Sequence, residues 1–195
     1  IKEVQFHLYQ SYYAKNFLES LGIYNVAYLS DYLNNEFLVE DVPPDTKEDI
    51  VAFNPKKGFS FTRKIIATAP DITFVPIKNM SRSEVIQLLK KAKVYIDFGN
   101  HPGKDRIPRE AAILGCCVVV GKKGSAANPY DVPIPDKYKF EVNSENIPAI
   151  VRTIKYCLHS YQEANRDFAA YRESVRQEPQ KFIQSMFAIF GNRGD

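Results

Sequence analysis

A chain of 195 residues, 45% hydrophobic, can bury one good core, or one domain and part of another. Its net charge of +3 and pI near 8.6 are too weakly basic to argue for nucleic acid; no apolar run approaches the roughly 18 residues of a membrane-spanning helix, and no charged-then-apolar signal segment opens it. The three cysteines, Cys116, Cys117 and Cys157, have no metal-ligand spacing and predict reduced, buried thiols in a cytoplasmic protein without a metal site.

In chain order, VQFHLY reads as a short strand and is followed by a helix that Ser11 can cap, with Ala14, Phe17, Leu18 and Leu21 on one face and Gly22 to close it. NVAYLSDYL is strand-like at first. The polar, proline-bearing connector VEDVPPDTKED then marks a domain boundary. Residues 1–45 are read as the remnant of a preceding domain or a linking segment, and 46–195 as one domain with C-terminal helices. Because the chain begins at Ile1 rather than Met, a fragment is expected.

Beyond the connector the pattern alternates. IVAF, ITFVPI, VYIDF and CCVVVG are strand candidates, the last apolar throughout as a strand covered on both faces should be. Between them FTRKIIATA, the segment capped by Ser81 and Glu84, and RIPREAAILG read as helices. An edge strand is expected at Tyr138–Phe140. Ile147, Ile150, Val151, Ile154, Leu158 and Tyr161 form a helical stripe that either breaks or runs on through Arg172, and KFIQSMFAIF is a last amphipathic helix. Such alternation predicts right-handed βαβ units: an α/β, Rossmann-like parallel sheet flanked by helices.

In such a sheet the loops after the strands share one edge, where ligands bind. Here they are NPKKG, KNMS, GNHPGKD and GKKGSAANP, and they carry Lys56, Lys57, Lys104, Lys122 and Lys123 among Gly58, Gly99, Gly103, Gly121 and Gly124. Glycines let backbone amides approach a ligand and lysines neutralise phosphate charge, so a phosphate-bearing ligand is the natural reading; ordinary surface loops also hold these residue types. Neither the dinucleotide fingerprint nor the Walker motif is present, which disfavours NAD enzymes and P-loop ATPases. Glu110 either favours the helix dipole or accepts bonds from ribose hydroxyls. His101 either makes a loop contact or, beside Lys104 and Asp105, holds a phosphate or sugar hydroxyl. Asp97, Asn100, Asp105 and Arg106 can equally brace the loop, and Arg109 reads as pairing with surface charge.

PREAAILGCCVVVGKKGSA resembles the E-A-x-A-x-G-x-P-V-V-x-x-x-x-G segment of retaining, nucleotide-sugar-using GT-B glycosyltransferases, and VAFNPKKGF resembles their diphosphate-holding loop. The resemblance spans about residues 50–165. It implies a donor-binding C-terminal half, with Glu110 on the ribose and Lys56, Lys57 and Gly58 at the diphosphate. His101, Gly103, Lys104 and Asp105 then form this chain's own version of the donor loop. It implies a UDP- or GDP-linked sugar as substrate with no further cofactor, an acceptor glycan or lipid-linked sugar, and a role in surface polysaccharide or glycoconjugate synthesis. The mildly basic chain and the amphipathic C-terminal stretch are read either as contact with the inner membrane face or as ordinary core packing, the latter favoured. Where the family often has E-x₇-E, the residue eight before Glu110 is Pro102; Cys117 stands at its usual proline and Asn54 at its first-loop arginine. A non-catalytic nucleotide-binding module, or a GT-B-shaped epimerase or hydrolase, are the alternatives. The sequence by itself identifies no catalytic residue.

Overall fold

The computed structural model describes residues 6–38 and 42–191. Its first unit is a βαβ: β1 (His7–Tyr9), α1 (Tyr12–Ser20) and β2 (Val26–Tyr28), the two strands pairing in parallel. The predicted strand's first two residues and the first three of the connector lie outside the described residues. Ser11 caps α1 as expected, its hydroxyl accepting from the Ala14 amide, and Gly22 follows in the left-handed region. The apolar face of α1 is not core: none of its residues is buried and Phe17 is 60% exposed.

The second unit runs β3 (Glu48–Phe53), α2 (Phe59–Thr68), β4 (Thr73–Pro76), α3 (Arg82–Lys91), β5 (Ala92–Asp97), α4 (Arg106–Ile113), β6 (Cys117–Gly121) and β7 (Lys139–Phe140). Its five strands are parallel in the order β4-β3-β5-β6-β7. β6 is buried along its whole length because helices cover both faces, which is why its sequence is apolar without alternation. Ser81 and Glu84 form the predicted capping box of α3. The C-terminal stripe becomes α5 (Ile147–His159) and then breaks at Ser160 into α6 (Tyr161–Arg166), α7 (Ala169–Arg176) and α8 (Glu178–Phe190).

The core lies between the sheet and its helices and includes Val51, Ile65, Leu89, Val94, Ile96, Val119 and Ile154. All three cysteines are free and buried. At the amino edge of the sheet Lys47 is buried, its ammonium donating to the carbonyls of Leu89, Ala92 and Leu114 at 2.7–2.9 Å. It thereby ties the ends of α3 and α4 to the start of β3, satisfying carbonyls that helix ends leave open. No helix among the described residues is long and apolar enough to cross a membrane.

Candidate functional site

In the order β4-β3-β5-β6-β7 the strand order reverses between β3 and β5, and the loops leaving these neighbours meet at the carboxyl edge, where open α/β sheets bind their ligands. The two loops meet at glycines. Gly58 has φ +61°, and a Cβ there would lie 2.6 Å from the Phe98 carbonyl and the Gly99 nitrogen. The Asn54 side chain accepts from the Lys56 amide at 3.0 Å and turns NPKKG back on itself.

Capping differs among the helices that follow strands. α1 and α3 have side-chain caps, and α1 has a second one: both oxygens of Asp131 accept from the Tyr12 and Tyr13 amides. The helices leaving β3 and β5 have none. α2 starts at Gly58, and α4 starts at Asp105, whose carboxylate turns instead to Lys57 at 2.7 Å and His101 Nδ1 at 3.1 Å. Their first-turn amides are left free of side-chain caps, with the positive ends of two helix dipoles behind them, an arrangement suited to an anion.

The 101–105 loop is braced from several sides. The His101 carbonyl accepts from the Ser125 amide, and the Ser125 hydroxyl donates to the Gly103 carbonyl at 2.5 Å. The His101 ring is fully buried between Asp97 Oδ1, 3.4 Å from Nε2, and Asp105, and neither nitrogen makes a well-aligned hydrogen bond. Burial alone would raise the pKa of Asp97. The adjacent His101, the Gly99 amide and the Tyr95 hydroxyl outweigh it and hold this carboxyl below its usual range. Asp97, His101 and Asp105 bring three potential metal-ligand atoms within 4.8 Å of one another. Lys57 already supplies a positive charge to Asp105, which competes with a cation at this cluster.

Glu110 is only 7% exposed. Its one ion pair among the described residues is with Arg106 at 3.5 Å, and within that set its carboxylate accepts no hydrogen bond. Burial raises its pKa, against the opposing effect of Arg106, Arg109 and Arg82. A buried carboxylate short of donors is costly unless something else supplies them.

The sequence-selected residues thus fall into two groups. Gly58, Lys57, Asp105 and His101 converge at the junction of the two loops, with Glu110 on the helix that follows and the exposed Lys56 at the rim. Lys104 and Gly103 face the N-terminal unit. The Lys104 ammonium bonds Ser30 at 2.7 Å and Glu178 at 2.8 Å, and a Cβ on Gly103 would meet the Gln10 amide. Lys122 pairs with Asp136. Arg109, expected on the surface, is 1% exposed and bonded to Asp31 and Glu178. Its spacing from Ala112 and Ile113 is the signal that marks it as inward-facing. Nothing local in the sequence announces Asp131, whose partner helix is 118 residues away.

Neither a family model nor a curated protein matches this sequence. Solved structures match its fold. A variant of TarM from S. aureus, in complex with fondaparinux, alpha-GlcNAc-glycerol and UDP, superposes with TM-score 0.74 at 12% identity, covering 98% of this chain and 45% of that one. HepE from Anabaena in complex with UDP gives 0.70 at 12% identity, over 96% of this chain and 64% of that one. WaaG, a glycosyltransferase involved in lipopolysaccharide biosynthesis, gives 0.57 at 13% identity, over 95% and 62%. The chain carries the Rossmann-like GT-B fold and spans about half to two-thirds of the length of these structures.

Proposed function

We propose that this chain is the donor-binding half of a glycosyltransferase that uses a nucleotide-linked sugar. The observation that carries the reading is Glu110: a largely buried carboxylate paired with Arg106 that accepts no hydrogen bond from the described residues, on the helix that follows the loop after β5. Ribose hydroxyls would donate to it. The fold likeness to structures crystallised with UDP supports the same ligand class.

In this reading the diphosphate lies over the open N-termini of α2 and α4. Lys57 leaves Asp105 for the phosphate as the ligand arrives, and His101 and Asp97 stay behind to hold Asp105 in place. Lys56 at the rim adds charge. Catalysis is electrostatic stabilisation of the departing nucleoside diphosphate, and it requires a second wall that brings the acceptor into line and excludes water. The β1–α1–β2 unit is the part of that wall contained in this chain. The acceptor is a glycan or lipid-linked sugar in surface polysaccharide synthesis. Pro102, in place of the family's first glutamate, favours a second reading: a module that binds the nucleotide without transferring the sugar.

Calorimetric titration with UDP-, GDP- and dTDP-sugars tests the site. Binding of one class is expected, weakened roughly 10- to 150-fold in Glu110→Ala, since hydrogen bonds to a charged group are each worth about 1.5–3 kcal/mol. Absence of binding to every nucleotide, or binding indifferent to Glu110→Ala, overturns the donor site. Binding without release of the sugar to any acceptor supports the second reading.

A further inference from the structure

Arg109 heads the fully buried side chains by size. Its guanidinium reaches three separate parts of the chain. Nε and one terminal nitrogen donate to the carbonyls of Asp105 and Lys104 at 3.3 and 3.4 Å, inside the 101–105 loop. The other terminal nitrogen donates to Glu178 at the start of α8 at 2.8 Å. The nitrogen that reaches Lys104 also grips both oxygens of Asp31, just beyond β2, at 2.9 and 3.1 Å. Lys104 completes the circuit by bonding Glu178 and Ser30. Arg109 and Glu178 each hold two counter-charges, so the network links the loop, α8 and the segment after β2 through shared partners.

Burying such a network costs desolvation, and apolar residues of similar volume often serve stability as well or better. What apolar packing does not supply is a fixed relation between particular backbone carbonyls and particular carboxylates. The arm to the N-terminal unit is the one that can open, because the Asp31 side chain is 44% exposed while that of Glu178 is 8% exposed.

We propose that Arg109 is a positioning residue. It holds the 101–105 loop in shape through the loop's own carbonyls, and it makes that shape depend on the seating of the N-terminal unit and α8 through Asp31 and Glu178. The loop that carries Asp105 and His101 is thereby coupled to the N-terminal unit and α8. The consequence for ligand affinity rests on the nucleotide-donor reading; the coupling itself does not.

The decisive variant is Asp31→Asn, which removes charge at the exposed arm and leaves every residue of the 101–105 loop unchanged. Amide hydrogen exchange over residues 99–105 is compared in wild type, Asp31→Asn and Glu178→Gln, alongside thermal unfolding and UDP titration of the same proteins. Faster exchange in the loop is expected in both variants, with UDP affinity reduced within the roughly 5- to 150-fold range of a coupling between sites. A lowered unfolding temperature with loop exchange and UDP affinity unchanged reduces the network to a structural brace and overturns the proposal. If wild type does not bind UDP the donor reading fails, and hydrogen exchange alone still decides the coupling. Arg109→Met is the harsher test; should it not fold, Asp31→Asn still decides between coupling and brace.

Discussion

Gly58 and Gly99 meet backbone to backbone where β3 and β5 release their loops. A methyl group on Gly58 would lie 2.6 Å from the Gly99 nitrogen, and one on Gly99 would overlap the Lys57 Cβ. Glycine at this junction is required twice over, by the positive φ of Gly58 and by the missing space. Gly58→Ala should therefore lose more than about 2 kcal/mol, the left-handed cost of about 1–2 kcal/mol plus the clash. Gly22, at φ +74° with nothing within 4 Å of its would-be Cβ, is the control and should lose only that left-handed cost, about 1–2 kcal/mol, on Gly22→Ala. Equal losses in urea unfolding would refute the close-approach argument.

The Lys57–Asp105 pair is part-buried, with side-chain exposures of 35% and 18%. A double-mutant cycle with Lys57→Met and Asp105→Asn should give a coupling of about 0.2–1 kcal/mol that shrinks as salt is added. A coupling of several kcal/mol would mean that Lys57 is too firmly held to be given up to a phosphate.

Lys47→Met deletes a donor shared by three carbonyls; Leu89 and Ala92 keep the Cys116 thiol, whereas Leu114 loses the ammonium that bonds it. The expected loss is about 1–3 kcal/mol for the carbonyl left unsatisfied, seen as a lower urea midpoint at an unchanged slope. A neutral substitution would show that water or local rearrangement replaces the ammonium.

Lys139 is buried on β7, and burial pulls its pKa down to about 8. The unfolded chain keeps the ordinary value of 10.5, so across the interval between the two it binds more protons than the folded protein. The penalty for the buried ammonium is complete below about pH 8 and is relieved as pH rises through that interval. Stability of wild type relative to Lys139→Met should climb there by up to about 1.4 kcal/mol per pH unit. Parallel pH profiles for the two proteins would contradict the shifted pKa.

Local patterns in the sequence were enough for the elements and their class. Short apolar runs marked β3, β5 and β6; the Ser81–Glu84 spacing marked α3; the loops after the strands marked the edge to search. These signals are short-range, set by side-chain periodicity and by which residues satisfy helix ends. The tertiary structure alone decided how those loops are used. It turned Lys104 to the N-terminal unit, buried Arg109, joined Lys57 and His101 to Asp105, and left Glu110 short of donors. These outcomes depend on partners such as Asp31, Asp131 and Glu178, which lie tens of residues away and reach their places only once the sheet order has been set. Charge and type are written at each position, but pairing is a property of the packed chain.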